Sequence, residues 1–544
     1  MDILNFSNPN FYILVGLSFI NMIFMCFVSH KFLHIMQLSG YRVNKYWSWV
    51  KDTKAKWISR IAMLSLLSFI AMFVCNILFR NYGQYELLTY LGLVFYFWFM
   101  LVYIVNMKNV PEKKRLVLTK RVYRIYSVVG FFILLITFGL VLLSFELDTI
   151  FRFSLIAITP ICLPVLIPFS VLLLYPLEKL INKSYIKLAK KTLKKNEPII
   201  KIGITGSFGK TSTKNFLTEM LKKKYTVIST PESFNTPMGI TKTINARVKK
   251  ETQILVCEMG ADHVGDIKEI CDIVKPDIAI LTGIGNQHLE TFGSYENIEK
   301  TKYELVESLN EKGKAFFNGE CESLLNLYNK SNHENKVLCK LKNEEIRFDR
   351  VQITSCGMKF NLVVDGKTYF CKTNLLGHHN LQNIMLAVYV AMYLGVEIKD
   401  IVTAIFNLES VYHRLELKKS ENGITIIDDS FNSNVQGTIY ALKTLELFKN
   451  GRKIVVTPGL VELGEVEEEE NIKFGERIAE IADICVIVNN YNKERIKTGL
   501  LNKGFKEENI YEVESLYLAT QLFKTILKKG DVVLLENDLP DNYR

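Results

Sequence analysis

Five long apolar runs crowd into the first 175 residues of this chain, at about 11–29, 61–79, 87–106, 125–145 and 154–175. Each approaches the roughly 20 residues that a helix needs to cross the hydrocarbon core of a bilayer. A lipid-exposed segment must satisfy its backbone hydrogen bonds internally, so runs of this kind read as membrane-spanning helices. The first run has no Lys or Arg ahead of it in MDILNFSNPN and no small-residue cleavage site after it. It therefore reads as a retained span and not as a signal peptide.

Charge sorts the loops between the runs. Lys31, Arg42, Lys45, Lys51, Lys54, Lys56 and Arg60 lie between the first two, and Lys108, Lys113, Lys114, Arg115, Lys120, Arg121 and Arg124 between the third and fourth. The other two loops hold only Arg80 and Arg152. This alternation predicts a multi-pass protein of the cell membrane, with the N-terminus outside and everything after Tyr175 in the cytoplasm. Residues 1–199 carry 23 Lys and Arg against 8 Asp and Glu, whereas the rest of the chain is slightly acidic. The overall charge of +11 thus belongs to the flanks of the spans and gives no reason to expect a nucleic-acid partner. Ten cysteines without a CxxC pair or a Cys/His cluster fit reduced thiols in a cytoplasmic domain.

The fifth run carries Pro160, Pro164 and Pro168, with Pro176 at its exit. Prolines at this spacing predict a kinked helix with carbonyls lacking their usual donors. That geometry suits either a groove for a lipid-linked substrate or a bent anchor. The lack of an acidic residue in the middle of any span favours the anchor. Residues 177–198 follow as a connector, with seven lysines interleaved with Leu177, Leu180, Ile181, Tyr185, Leu188, Ala189 and Leu193. This pattern predicts an amphipathic helix on the anionic lipids of the inner leaflet.

Beyond it, the apolar strand Ile199 to Ile204 runs into Thr205-Gly206-Ser207-Phe208-Gly209-Lys210-Thr211-Ser212, and a helix containing Phe216, Leu217, Met220 and Leu221 follows. Strand, glycine loop and helix in that order make a phosphate cradle, because backbone N–H groups and the helix dipole both point at the anion. Lys210 would reach the β- and γ-phosphates of ATP, and the Thr211 hydroxyl would bind Mg²⁺. The first glycine of the general phosphate-loop pattern falls on Ile204, so the match is incomplete.

From this loop onward the sequence resembles the Mur ligases, above all the branch that adds D-alanyl-D-alanine to the muramoyl tripeptide (MurF). The blocks ITGSFGKTS, TPESFNTPMGI, VCEMGADHVGDI, ILTGIGNQHLETFGS, IEKTKYELV, LLGHHNLQNIMLA, HRLEL and IIDDSFNSN occur in the family's order over roughly 199 to 544. The apolar runs give an α-helical membrane domain of five spans (1–176) and the connector (177–198), and the resemblance implies that α/β domains follow. These are a phosphate-loop central ATP-binding domain (199–410) and a smaller Rossmann-like C-terminal domain (411–544). It implies an ADP-forming, ATP-dependent carboxylate–amine ligase of cell-envelope biosynthesis. In such an enzyme Thr211, Glu258 and His288 surround magnesium, and Lys302 as a carbamate holds a second ion. Lys210, Lys302 and His288 are then the catalytic set. Lys300 is a rival for the carbamate, and Asn235 lines the same site. Asn383, which follows Asn380, meets the adenine; Arg414 reaches the nucleotide from the last domain. Asp429, with Asp428, Asn432 and Asn434, serves the ribose and the incoming amine, and His379 reads as structural.

The sequence also departs from that family. Its usual domain for gripping a UDP-sugar has no counterpart, and the spans stand in its place, which points to a lipid-linked or membrane-proximal carboxylate acceptor. The amine would be an amino acid or dipeptide. Val435 replaces the proline after DDSFNSN, and the acidic run after Glu462-Leu463-Gly464 replaces a histidine. Three rivals stay open: a poly-γ-glutamate-type ligase, a non-catalytic ATP-binding membrane scaffold, and a transporter.

Overall fold

The computed structural model describes residues 9–53, 55–79, 85–108, 115–147, 149–232, 234–287, 289–419, 422–431 and 433–539. The chain divides into two units at Ile181/Asn182. Among the described residues, seven α-helices begin in the first: α1 (Pro9–Val28), α2 (His30–Leu38), α3 (Val43–Asp52), α4 (Lys56–Phe79), α5 (Tyr85–Lys108), α6 (Lys120–Glu146) and α7 (Thr159–Lys195). Among the described residues, α1, α4, α5, α6 and α7 are long and apolar enough to cross a membrane. Their outward faces stay apolar, with Phe27, Leu66, Val94, Phe131 and Leu172 all exposed. The two short helices α2 and α3 fill the loop between the first two long ones.

A buried polar cluster ties three of these helices to α7. Tyr96 donates to Asn21 Oδ1 (2.6 Å), and Asn21 Nδ2 donates to Thr137 (2.9 Å) and Thr159 (3.0 Å). The prolines of the fifth run do not end their helix; Pro164, Pro168 and Pro176 all lie inside α7. A proline at 168 has no N–H for the carbonyl of Pro164, and Tyr46 Oη supplies the missing donor at 2.9 Å. The basic loops gather at one end: Gln37 is hydrogen-bonded to the Val117 backbone, Arg121 stacks 3.8 Å from the Tyr41 ring, and Arg124 pairs with Glu178 at 2.7 Å. At the other end Asn76 Nδ2 donates to the carbonyls of Ile150 and Arg152. The connector is not a separate helix but the last turns of α7. Its apolar positions split, with Leu180 and Leu188 exposed, while Ala189 and Leu193 are buried in the core of the second unit.

In the second unit, strands β1 (Ile200–Thr205), β2 (Val227–Ser229), β3 (Ile254–Glu258), β4 (Ile278–Leu281), β5 (Lys314–Asn318) and β6 (Lys336–Cys339) form a parallel sheet of order 2-3-1-4-5-6. Strands β3 and β4 are buried at every position, as a parallel sheet covered on both faces requires. Its helices are α8 (Lys210–Leu221), α9 (Pro237–Arg247), α10 (Asp266–Val274), α11 (Leu289–Phe292), α12 (Tyr295–Glu307) and α13 (Glu322–Lys330). An antiparallel layer of β7 (Ile346–Thr354), β8 (Gly357–Val364) and β9 (Lys367–Thr373) precedes α14 (His378–Tyr393) and α15 (Ile398–Phe406). The turn Asp365-Gly366 joins β8 to β9, with both residues at positive φ as a tight hairpin demands.

A second six-stranded sheet closes the chain. It contains β10 (Glu416–Lys419), β11 (Thr425–Asp429), β12 (Lys453–Thr457), β13 (Ile484–Val488), β14 (Ile510–Val513) and β15 (Val532–Glu536), in the order 10-11-15-12-13-14. Only β10 is antiparallel to its neighbour. Helix α16 (Val435–Glu446) follows β11, and α17 (Glu467–Ile481) packs beside it. The carboxyl ends of β1, β3, β4 and β11 carry nearly all the residues singled out from the sequence, as ligand sites on α/β sheets do.

Candidate active site

The loop between β1 and α8 is built on backbone crowding. A Cβ on Gly206 would lie 2.2 Å from Thr282 Oγ1 and 2.8 Å from the Gly283 carbonyl. Gly209, at φ +79°, caps α8, and a Cβ there would meet Asn383 Oδ1 at 2.6 Å. Lys210 Nζ donates to the carbonyls of Gly206 (2.6 Å) and Ser207 (3.1 Å), curling over the loop that it opens from. Thr211 and Ser212 sit in the first turn of α8, where N–H groups lack partners within the helix. Phe208 lies flat on the next loop: a Cβ on Gly283 would come within 2.2 Å of its ring.

Glu258 ends β3, directly across the register from Ile204, and is 1% exposed. Both of its oxygens accept hydrogen bonds: Lys214 Nζ lies 3.0 Å from Oε2, and Asn235 Nδ2 lies 3.1 Å from Oε1. Lys214, itself 1% exposed, also donates to the Glu232 carbonyl. Lys302 is 3% exposed on α12, whereas Lys300 faces solvent, so only Lys302 belongs to this interior. Burial, with the Lys210 ammonium next in weight, lowers the Lys302 pKa to about 7 against the pull of Asp262, Asp266 and Glu304. Lys210 is likewise lowered to about 8, by burial first, with Glu258 and Asp262 opposing and Arg414 assisting. Asp262 therefore faces both lysines. Asp266 holds its loop by accepting from the backbone N–H groups of Asp262 and His263, each at 2.9 Å.

The opposite wall of the cleft comes from the second sheet. Arg414 follows β10's lead-in turn, flanked by His413 and Leu415 at φ +57° and +45°. These left-handed positions are held by His413 Nδ1 against Asp428 Oδ2 (2.7 Å) and by Leu415 N–H on Asp429 Oδ1 (3.1 Å). The Arg414 guanidinium lies 4.8 Å from the centre of the Phe431 ring, and its charge is felt by Lys210 and His379. Phe208, Gly209, Ser212, Asn383, Arg414 and Asp429 all line one cleft of about 640 Å³, open solvent included. Asn434 lines it too, with its Oδ1 accepting from Gly437 N–H at 2.9 Å as the N-cap of α16. His379 stacks on Tyr440 at 5.2 Å, and burial brings its pKa down to about 4, so it is neutral at physiological pH. His288 and Asn432 lie outside the described residues.

Three residues of this site were not singled out from the sequence. Lys214 sits one helical turn after Lys210, a spacing that places both on one face of α8. Asp262 stands inside the EMGADHVGDI block. Glu536 is fully buried at the end of β15, in register with Asp429 on β11. Nothing but that register could have paired two carboxyls more than a hundred residues apart.

The donor set fits a nucleotide and a hard divalent cation. The N-terminus of α8 and Lys210 suit phosphate oxygens. Each Glu258 oxygen keeps a lone pair beyond its one hydrogen bond, and Asp262 and the Thr211 hydroxyl add oxygen ligands of the type Mg²⁺ selects.

Residues 204–391 match the Mur ligase middle domain, and residues 413–536 match the Mur ligase glutamate ligase domain. The UDP-N-acetylmuramoyl-tripeptide–D-alanyl-D-alanine ligase of Bacillus subtilis is 30% identical over 338 residues, covering 62% of this chain and 72% of the relative. Its Escherichia coli counterpart is 28% identical over 334 residues, 60% of this chain and 73% of the relative. Among solved structures, MurF ligase from Thermotoga maritima in complex with ADP superposes with a TM-score of 0.58 and 26% identity, covering 66% of this chain and 80% of that one.

Proposed function

This chain belongs to the Mur ligase family, whose members are ATP-dependent, ADP-forming ligases, and we propose that it is a membrane-anchored MurF-like member acting on a membrane-proximal carboxylate. The observation that carries this reading is the single cleft in which Phe208, Gly209 and Ser212 of the phosphate loop face Asn383, Arg414 and Asp429. A loop for phosphates, an amide for a base and an arginine–carboxylate pair thus stand around one nucleotide-sized space.

In the proposed reaction a carboxylate oxygen of the acceptor attacks the γ-phosphorus of ATP, and the bond to the β,γ-bridging oxygen breaks to release ADP. The amine then attacks the acyl carbon of the acyl phosphate, phosphate leaves with its electron pair, and the amine gives up a proton. Bound Mg²⁺ would neutralise the phosphate oxygens, held by Thr211, Glu258 and, by resemblance, His288. Lys210 stabilises charge on the transferring phosphoryl group. Lys302, with a pKa near 7, has the neutral amine fraction that reacts with CO₂, and its carbamate would hold a second ion. Lys214 keeps the Glu258 carboxylate aimed, and Arg414 covers the nucleotide from the second sheet. Asn235, Asn434 and Asn432 are assigned to the substrates.

The membrane reading is supported by five long helices with apolar exteriors, and by the basic loops gathering at one end with Glu178. That end is assigned to the cytoplasm, and the N-terminus to the outside. The acceptor is placed near the membrane because the spans occupy the position of the family's UDP-sugar domain.

The test is ADP release by the full chain in detergent with Mg²⁺ and bicarbonate, using D-alanyl-D-alanine, single amino acids and simple amines against soluble and lipid-linked carboxylates. The reading predicts release that needs both a carboxylate and an amine and disappears in Lys210→Ala. Release without an amine, or an unaffected Lys210→Ala, would overturn it.

A further inference from the structure

Helices α4 and α5 are each other's main packing partners, yet they part around a cavity of about 820 Å³, open solvent included. Trp57 and Arg60 line it from the first turns of α4, and Tyr103 and Asn106 from the last turns of α5. One turn beyond Arg60 the α4 wall becomes Leu64, and on α5 Val102 stands beside Tyr103. Along α4 the lining thus passes from polar to apolar.

The polar end has the makeup of an anion site. The Arg60 guanidinium carbon lies 4.9 Å from the centre of the Trp57 ring, and Lys31 Nζ lies 5.6 Å from the same ring. Tyr103 is 3% exposed, and its hydroxyl has no hydrogen-bond partner among the described residues. A buried hydroxyl without a partner has lost its water and gained nothing, so such a group at a cavity wall favours a polar ligand. Among the described residues, no carboxylate lines this cavity. The donors are a guanidinium, a phenol and an amide, which suit phosphate oxygens. The Trp57 face and the flanking cations are also the residue types that settle at the headgroup level of a bilayer.

We propose that this cavity binds the phosphate headgroup of an anionic lipid, with Arg60, Tyr103 and Asn106 on the phosphate and the lipid chain along Leu64 and Val102. The occupant is an amphiphile and not free phosphate, because the space continues past the donors into apolar walls. The site rests on the membrane reading of the first unit and is independent of ligation.

The full chain in a neutral maltoside detergent, titrated calorimetrically with dioctanoyl phosphatidic acid, tests this. Saturable binding is expected. Arg60→Gln should weaken it by about tenfold or more, the scale of losing a charge-assisted contact, and the near-isosteric Tyr103→Phe should weaken it measurably. Dioctanoylglycerol and inorganic phosphate should each bind at least about tenfold more weakly than the lipid phosphate, since each lacks half of the recognised chemistry. Equal affinity of wild type, Arg60→Gln and Tyr103→Phe would overturn the site. Inorganic phosphate binding as tightly as the lipid, or dioctanoylglycerol doing so, would overturn the lipid-phosphate assignment. ADP release in the ligase assay is read separately, so failure of either idea leaves the other standing.

Discussion

Lys214 Nζ and Glu258 Oε2 form an ion pair of 3.0 Å, with both side chains shut away from solvent. A buried pair is costly to break from one side, because the remaining charge loses its counter-ion without gaining water. Lys214→Met should therefore lower stability by about 3–5 kcal/mol. Thermal unfolding of the full chain measures this, and a melting temperature within error of wild type would show that the pair is relaxed by water. Because Lys214 also aims Glu258, the Mg²⁺ concentration for half-maximal activity should rise in any folded Lys214 variant.

Lys302 should make activity depend on CO₂ and pH together. Its ammonium gives up its proton only as pH rises through about 7, and the protonated form cannot become a carbamate. Activity at low bicarbonate should fall as pH drops below that value and recover with added bicarbonate. Lys300→Ala should leave this behaviour intact, since its side chain faces solvent, whereas Lys302→Ala should abolish it.

Asp429 and Glu536 are register partners, and Ser433 Oγ donates to Glu536. Burial raises the Asp429 pKa to about 6, despite Arg414, and holds Glu536 well above the ordinary carboxylate range. The folded pair keeps protons that the unfolded chain releases near pH 4, so stability falls as pH rises from about 4 through about 6. Glu536→Gln removes one of the two charges while keeping an oxygen for Ser433. It should raise Tm at pH 8 by about 2–4 °C, the effect of about 1 kcal/mol in a domain of this size, and flatten the pH dependence. A Tm difference between pH 5 and pH 8 equal to that of wild type would contradict the pairing.

Gly206→Ala tests the phosphate loop by geometry alone. The added methyl would sit 2.2 Å from Thr282 Oγ1 and 2.8 Å from a backbone oxygen that has no freedom to swing away. The loop must shift, and ATP affinity should drop by about tenfold or more, as displaced phosphate contacts would dictate. Equilibrium binding of a fluorescent ATP analogue reads this without turnover.

What the sequence determined by itself is whatever depends on neighbours along the chain. Apolar length marked the five long helices of the first unit, and the strand–glycine–helix order located the phosphate loop. Ordered motifs then pointed to the family that residues 204–391 and 413–536 match. The prolines of α7 announced carbonyls without donors, but not that the donor for the Pro164 carbonyl comes from Tyr46, 118 residues away. The three-stranded layer of β7, β8 and β9 went unread. Only the tertiary structure separated a buried Lys302 from an exposed Lys300, since burial depends on what packs over α12. It alone put Lys214 on Glu258, Asp262 within electrostatic reach of two lysines, and Glu536 beside Asp429. Each of these depends on the distance between charges in a medium of low polarity, and that distance is set by sheet register and helix packing, which no local pattern encodes.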